Sequence, residues 1–272
     1  MFQLVFGGPG WRLQAQRHPY PVSVILYISL RWYAEIYLSD GRYTTDQLNK
    51  VFRGFFWRNA LTGRYDQGFL TRFTSDQVKL KSILKEARQK KKQHWTSFCN
   101  KGLDELFGEQ HAALNRDRIV QLLKEGEIRG ALRQAFSLFL YSKARIDWVE
   151  GSPLNRFSDE KGRLVQLHHI FPQQWCKDNK GGQPVLKDND AILDCFANLV
   201  PLTAKSNLNW RSKSPSTAIA EFDLDFASDQ RFSTALVDSE AFEFLKSDDP
   251  EGFWNRRATQ MAEELYQLQF VS

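Results

Sequence analysis

Two histidines and two asparagines stand at the ends of short apolar runs in the second half of the chain. His168 and His169 close the first run, and Pro172 follows three residues later. Asn198 precedes the second run, and Asn207 lies nine positions beyond Asn198. Imidazole and amide groups at such junctions indicate a small polar site where two strands and a helix meet.

These residue types suit the hydrolysis of a phosphodiester. That reaction needs a base that activates water, and a cation that holds the phosphate and the departing 3′ oxygen. A neutral imidazole suits the base because its unperturbed pKa lies near the working pH. Mg²⁺ keeps several of its waters, so two side chains and the phosphate can complete its site. The four polar residues are therefore of the types that metal-assisted hydrolysis of a phosphodiester uses.

The placement of the two histidines depends on where the first strand ends. Successive residues of a regular strand point to opposite faces of the sheet. His168 and His169 can therefore serve one site only if the strand ends there, and the nearby proline is a reason for it to end. A second strand is predicted over 199–202, with a helix that starts at Thr203 or Ser206. The pattern predicts a ββα arrangement.

The residues and their spacing resemble the HNH, or ββα-metal, nuclease superfamily. The pattern there is Asp/His-His-Ile-x-Pro, then Asn-Leu-x-x-Leu, then Asn or His on the helix at a fixed offset. Nine positions, the interval from Asn198 to Asn207, is the usual offset. The resemblance implies that His169 is the general base and His168 the first metal ligand. It likewise implies that Asn207 is the second ligand, and that Asn198 holds the loop and the base imidazole.

The closer similarity is to the His-His-Ile-Phe-Pro subgroup, the nuclease regions at the C-termini of GmrSD-type restriction enzymes, which cut modified phage DNA. Positions 55–65, Phe-Phe-Trp-Arg-Asn-Ala-Leu-Thr-Gly-Arg-Tyr, also resemble the helical region before the nuclease in that family. The similarity extends from about Trp32 onward and is sharpest over 163–213. It implies a DNA endonuclease of restriction or anti-phage defence, with Mg²⁺ or Mn²⁺ as cofactor.

Three alternatives stay open at this point. The chain could be a catalytically inactive nucleic-acid-binding or regulatory subunit of such a system, although all four key positions carry residues of the matching types. RNA is the alternative substrate, because only the resemblance favours DNA. Asn209 is a second candidate ligand. Two helical positions turn its side chain well away from that of Asn207, which we therefore prefer.

Basic residues add candidate phosphate contacts. The net charge is +5, but segment 221–251 carries −8, so the other 241 residues carry +13. Between Lys79 and Lys92 there are seven basic residues and one acidic residue, which is typical of a phosphate-binding face and equally of a solvated helix. The acidic segment could repel DNA, dock a basic partner or be plain solvated surface. The candidate nucleic-acid contacts are Lys205, Arg211, Lys213, Lys90, Lys91 and Lys92.

The predicted fold class is mainly α with a small β-hairpin: a helical region followed by a ββα unit embedded among helices. Residues 1–21 contain Gly-Gly-Pro-Gly and are predicted to be a loop or tail. Residues 22–150 are predicted as a helical domain and 151–272 as a nuclease domain with flanking helices. The predicted helices are 22–38, 45–60, 75–93, 95–107, 116–124, 130–143, 215–226, 234–245 and 252–268. Segment 145–149 is ambiguous between strand and loop, and 173–197 is predicted as a loop.

The remaining expectations concern compartment and partners. The apolar run 22–30 is too short to span a bilayer and predicts a buried helix, so no membrane partner is expected. Cys99, Cys176 and Cys195 are isolated in sequence, which argues against disulfides or structural zinc and fits a reducing cytoplasm. The Asp-Gly-Gln-Gln-Arg run of nucleotide-handling family members does not occur. A recognition or nucleotide-handling module is therefore expected to be missing or on another chain.

Overall fold

The computed structural model describes residues 20–38, 44–126, 128–155, 158–159, 165–178, 193–227 and 230–272. These residues are mainly helical and contain two small antiparallel sheets, which agrees with the predicted mainly α class with a small β-hairpin. Of the predicted tail 1–21, all but the last two positions lie outside the described residues. The chain divides into two compact units: one comprises 1–115, 130–135 and 264–272, and the other 116–129 and 136–263.

The first unit is helical. Its longest predicted apolar face, on the helix that begins near Thr45, is fully buried, as its spacing indicated. The side chain of Thr44 accepts a hydrogen bond from Gln47 N, and the Gln47 side chain accepts one from Thr44 N, so a capping box starts this helix. The helices of this unit are α1 (Val22–Tyr37), α2 (Thr45–Thr62), α3 (Phe69–Ala87) and α4 (Lys92–Phe107), followed by a 3-10 turn at Glu109–His111.

The boundary between α3 and α4 differs from the prediction of one helix over 75–93. The apolar residues that α3 buries end at Ala87, and the next positions on that face are lysines, so the helix has nothing further to bury. Lys91 is the N-cap of α4, and Lys92 is its first residue. Lys91 and Lys92 therefore stand at a helix N-terminus, where the helix dipole disfavours cations, and not near the end of one long helix.

Helix α1 is buried on one face only, whereas its sequence predicted a buried helix. Leu26, Tyr27, Leu30 and Ala34 are buried. The apolar side chains of the opposite face are exposed to solvent. None of the described helices is long and apolar enough to cross a membrane.

The second unit contains the candidate site. Trp210, Trp148 and Phe232 form its aromatic core: the ring centroids of the two tryptophans are 6.0 Å apart, and those of Trp148 and Phe232 are 4.8 Å apart. Helix α6 (Gly130–Lys143) has residues in both units, as does α12 (Pro250–Leu268). The other elements are α5 (Arg116–Lys124), β1 (Leu154–Asn155), β2 (Ser158–Asp159), β3 (Val165–His169), α7 (Gln173–Asp178), β4 (Leu199–Thr203), α8 (Ala204–Trp210), α9 (Pro215–Glu221), α10 (Arg231–Thr234) and α11 (Ser239–Lys246).

Several of these bounds differ from the predicted ones. The β1–β2 ribbon was not predicted, and α7 opens the segment 173–197 that was predicted as a loop. Residues 179–192 of that predicted loop lie outside the described residues. In the ambiguous segment 145–149, Ile146 forms an isolated bridge with Pro153 and is otherwise in a loop. Two-residue strands and a helix of fewer than two turns carry too little periodicity to be recognised in sequence.

The second unit comprises 116–129 and 136–263 and so includes residues on both sides of position 150. Helix α5 packs on a 3-10 turn at Phe196–Asn198, next to the candidate site. The rings of Phe136 and Phe196 meet with their centroids 5.2 Å apart. Both contacts join segments far apart in sequence, which is why local patterns did not indicate them.

The acidic segment 221–251 is used in part for helix capping. Asp238 caps α11 by accepting a hydrogen bond from Ala241 N at 2.8 Å, and it pairs with Arg256 at 2.5 Å. Asp249 accepts one from Gly252 N at 3.0 Å, in the first turn of α12. These carboxylates therefore satisfy free N–H groups at helix starts, where negative charge is favourable.

Candidate metal and catalytic site

The antiparallel pair β3 and β4 brings the two predicted motifs together. In its register His168 lies opposite Val200 and His169 opposite Leu199. Strand β3 ends at His169, as the sequence predicted. The next backbone N–H, that of Ile170, donates to the carbonyl oxygen of Asn198 at 2.8 Å. Because consecutive strand residues face opposite sides of a sheet, the two imidazoles contact different residues: His168 contacts Asn207, and His169 contacts Asp194.

Asn198 holds the loops on either side of the site. It is fully buried, and its Oδ1 accepts a hydrogen bond from Phe171 N at 2.9 Å. Its Nδ2 donates to the carbonyl oxygens of Phe171 at 3.0 Å and Leu193 at 2.9 Å. The Asn198 side chain thus contacts the loops on both sides of the site. The resemblance also implied a contact with the His169 imidazole, but the described hydrogen bond of that ring is with Asp194.

His168 and Asn207 lie together, 39 positions apart in sequence. The distance from His168 Nδ1 to Asn207 Oδ1 is 2.7 Å. The Asn207 amide is oriented by its Nδ2, which donates to Gln166 Oε1 at 3.0 Å. Burial lowers the pKa of His168 to about 4, against the opposing effect of its contact with Asn207. The imidazole is therefore neutral at physiological pH, which is the form that binds metals.

This pair could hold a divalent cation once the Nδ1 proton, which donates to Asn207 Oδ1 without the ion, moves to Nε2. Adjacent ligands of octahedral Mg²⁺, at about 2.0–2.1 Å from the ion, are separated by about 3 Å, close to the observed distance between Nδ1 and Oδ1. Nε2 of His168 is buried without a hydrogen-bond partner among the described residues, beside the Trp210 ring at 5.6 Å between centroids. Within that part of the chain, no group of three or more His, Cys, Asp or Glu side chains could hold a metal ion.

The imidazole of His169 is paired with a carboxylate that the sequence did not point to. His169 Nε2 lies 2.7 Å from Asp194 Oδ1, and Gln173 Nε2 donates to the same oxygen at 2.8 Å. The His169 side chain is 29% exposed, so water can reach the ring. Asp194 lies in the segment predicted as a loop, and no spacing rule singled it out. Its position four residues before Asn198 is the only sequence feature that connects it with the motif.

The start of α8, which carries Asn207, is fixed by a buried carboxylate. Thr203 caps the helix by accepting a hydrogen bond from Ser206 N at 3.1 Å. The fully buried Asp147 accepts hydrogen bonds from Thr203 N at 2.8 Å and from the Ser206 hydroxyl. It also accepts from the backbone N–H groups of Val149 and Glu150, both at 2.9 Å. Asp147 therefore ties the strand–helix junction to the loop before β1.

Arg257 of α12 holds the other end of the site. Its guanidinium is fully buried and donates to the carbonyl oxygens of Ala197 at 2.9 Å, Leu199 at 2.8 Å and Ala235 at 3.1 Å. Burial lowers the pKa of Arg257 to about 9, so the group stays charged at neutral pH. The first two carbonyls flank Asn198, and Arg257 thus fixes the turn from which that residue reaches the loop.

Two of the three basic residues predicted to contact nucleic acid near the site, Lys205 and Lys213, form ion pairs with acidic residues of the chain. Lys205 Nζ lies 2.7 Å from Glu150 Oε1. Lys213 Nζ donates to the Asn209 carbonyl at 2.5 Å and lies 3.4 Å from Glu221. Arg211 is exposed at the end of α8 and has no ion pair among the described residues. Of these three, Arg211 is therefore the best placed to meet a phosphate.

The predicted basic cluster at 90–92 belongs to the other unit. All three lysines are exposed to solvent. Nζ of Lys90 lies 4.7 Å from the ring centroid of Phe98. At this distance the ammonium group makes a cation–π contact with the ring.

The three cysteines are buried as free thiols. Burial raises the pKa of Cys99, Cys176 and Cys195 to about 12 in each case. They therefore remain protonated at neutral pH and are poor nucleophiles or metal ligands.

Comparison of the chain with protein-family models, with curated proteins and with solved structures finds no match. Function must therefore be inferred from the residues themselves and from the geometry in which the fold holds them.

Proposed function

We propose that this protein is a metal-dependent endonuclease that hydrolyses phosphodiester bonds of DNA, as an effector of restriction or anti-phage defence. One observation carries the proposal: the end of β3 presents a His–Asn pair and a His–Asp pair at consecutive positions. His168 Nδ1 lies 2.7 Å from Asn207 Oδ1, and His169 Nε2 lies 2.7 Å from Asp194 Oδ1. The first pair supplies two neutral ligands, and the second an oriented base, within one small ββα unit.

His169 is proposed as the general base. A carboxylate at Nε2 favours the tautomer in which Nε2 carries the proton and donates it to Asp194. Nδ1 then keeps its lone pair and accepts the proton of the attacking water. The Gln173 amide, which donates to the same Asp194 oxygen, limits rotation of that carboxylate. Together the two side chains hold the ring in one orientation.

His168 and Asn207 are proposed as the metal ligands. A divalent ion held there would neutralise the phosphate and stabilise the departing 3′ oxygen. Both ligands are uncharged, since burial lowers the pKa of His168 to about 4. They should therefore bind Mg²⁺ or Mn²⁺ weakly until the phosphate adds its own negative oxygens. Asn198 contributes by fixing the loops around the site.

The direct test is the nicking of supercoiled plasmid by the purified chain. Nicking should require Mg²⁺ or Mn²⁺ and stop with EDTA. It should be weak, with little sequence preference and no stimulation by nucleotide, because a ββα unit grips the backbone near one phosphate and reads few bases. The same assay on a single-stranded RNA compares the two substrates. Absence of metal-dependent cleavage of either substrate would contradict the proposed activity.

Asp194 gives a prediction specific to this structure. Asp194→Ala should lower the single-turnover rate of cleavage by about 10–100-fold, the usual effect of removing a group that orients a catalytic histidine. Asp194→Asn keeps an oxygen acceptor and should retain more activity than Asp194→Ala. Asp178→Ala is the control, since that carboxylate contacts only Gln174 among the described residues. Equal rates for wild type and Asp194→Ala would remove Asp194 from the site.

The basic cluster 90–92 gives a prediction about affinity. Replacing Lys90, Lys91 and Lys92 together by Gln should weaken DNA binding for all sequences alike. The slope of log affinity against log salt should flatten by up to about three phosphate contacts. Fluorescence anisotropy over a salt series measures both effects. Lys50, half-buried and paired with Asp46, is a control position. An unchanged slope would assign the cluster to ordinary solvated surface.

A further inference from the structure

An exposed apolar stripe runs along α1. The side chains of Ile25, Ile28, Trp32 and Ile36 are 60%, 55%, 59% and 51% exposed, whereas the opposite face of the helix is buried. Their spacing of three, four and four residues places them in one line along the helix. A stripe of about 400 Å² is as large as the largest apolar patch on a typical monomeric protein, and such patches are often functional surfaces. A partner is therefore expected to cover this face of α1.

The stripe is large enough for a second copy of the chain. A large apolar side chain with half of its surface exposed offers about 100 Å². The four residues of the stripe therefore offer about 400 Å² per copy, so two copies bury about 800 Å² before neighbouring side chains are added, against about 1,000 Å² for a specific interface. Val78, 65% exposed, adds to this area from α3, where the adjacent Gln77 donates to Ser29 of α1 at 2.5 Å.

The charges beside the stripe are self-complementary. Arg31 Nε lies 2.8 Å from Glu35 Oε1, and both residues stand on the same flank of the stripe. A two-fold axis perpendicular to α1 near Tyr33 makes two copies of the helix antiparallel and brings the same flank of both together. Arg31 of each copy then lies opposite Glu35 of the other. A parallel pair would instead place this charged flank against the uncharged one that carries Ser29.

We propose that α1 mediates a two-fold symmetric homodimer of this chain through an antiparallel α1–α1 contact. Ile28, Trp32 and Ile36, each four residues apart, form a ridge that fits the groove beside the same ridge of the second copy. The Arg31 and Glu35 pairs close one edge of the interface. The dimer does not depend on the proposed nuclease activity, and it would place two copies of the β3–β4–α8 site in one particle.

Sedimentation velocity of the full chain, from about 1 to 100 µM, tests the proposal. The wild type should move from the monomer mass of 31.7 kDa toward twice that value as concentration rises. Trp32→Glu should stay monomeric at every concentration, with an unchanged circular dichroism spectrum and thermal midpoint, because the side chain is exposed. Leu208→Glu is the matched control: this residue is 58% exposed on α8, and its variant should dimerise like the wild type.

Charge reversal identifies the partner as a second copy. Arg31→Glu and Glu35→Arg should each weaken the dimer at least about tenfold, because like charges then meet across the axis. An equimolar mixture of the two variants should recover the dimer mass, as should the double reversal in one chain. A wild type that remains monomeric to 100 µM overturns the proposal and leaves the stripe to another protein or another segment of this chain. A dimer that survives Trp32→Glu, or a mixture that stays monomeric, also overturns it.

Discussion

Replacing His169 with alanine is expected to lower the rate of DNA cleavage by about 10²–10⁴-fold, the usual contribution of a positioned general base. DNA binding should be nearly unchanged, because the imidazole acts on water and makes no phosphate contact in the proposed reaction. Single-turnover cleavage of an end-labelled duplex measures the rate. Anisotropy with Ca²⁺ in place of Mg²⁺ measures binding separately. Wild-type-like cleavage by this variant, in a preparation free of contaminating nuclease, would sink the assignment.

Two controls make this loss specific to the proposed role. His94→Ala removes an exposed histidine of the other unit and should leave the rate unchanged. Added imidazole should restore part of the activity of His169→Ala, because the replaced side chain is 29% exposed and the space it leaves is open to solvent. The same addition should not restore His168→Ala, since a soluble imidazole enters a buried position poorly.

Replacing either proposed metal ligand should have the second-largest effect. His168→Ala and Asn207→Ala should each lower Mg²⁺-dependent cleavage by about 10²–10³-fold, the usual cost of losing one group that stabilises transition-state charge. The Mg²⁺ concentration needed for half-maximal rate should rise. Asn207→Asp should retain more activity, because a carboxylate oxygen is a ligand that Mg²⁺ prefers. Titration of the cleavage rate with Mg²⁺ and Mn²⁺ measures these changes.

Asn209→Ala is the matched control, since it removes an identical side chain two positions further along α8. A larger loss at Asn209 than at Asn207 would reverse the ligand assignment. A substrate with an activated leaving group distinguishes the loss of a metal ligand from the loss of the general base. A nitrophenyl phosphodiester has a leaving group that needs little stabilisation, so the two ligand variants should lose less activity on it than on DNA. His169→Ala should lose equally on both, because both reactions need an activated water.

The sequence determined the local elements of the site. An apolar run that stops at a histidine pair and a proline predicts a strand end, and β3 does end at His169. A second apolar run followed by Thr203 predicts a strand and a capped helix, and Thr203 caps α8. These features depend on alternation, caps and chain breakers within a few residues. Such signals lie within the segment itself and do not depend on how the rest of the chain packs.

Periodicity also identified the apolar face of α2 but left open what covers each helix. The face of α2 is buried, whereas α1, which is more apolar than α2 in sequence, is buried on one side only. A helical pattern states which residues share a face. Whether a second element exists to cover that face is a property of the packed chain, and the helix predicted as buried is buried on one side only.

Only the tertiary structure decided which residues support the motif. Asp194 meets His169 from 25 positions away, and Asp147 meets Ser206 from 59. Arg257 reaches the Ala197 carbonyl across 60 positions. A carboxylate in a loop or an arginine in a helix has no local signature of such a partner, because the contact exists only once separate segments pack together. The sequence by itself determined the polar residues that meet at the strand end, and the fold decided the buried charges that hold them there.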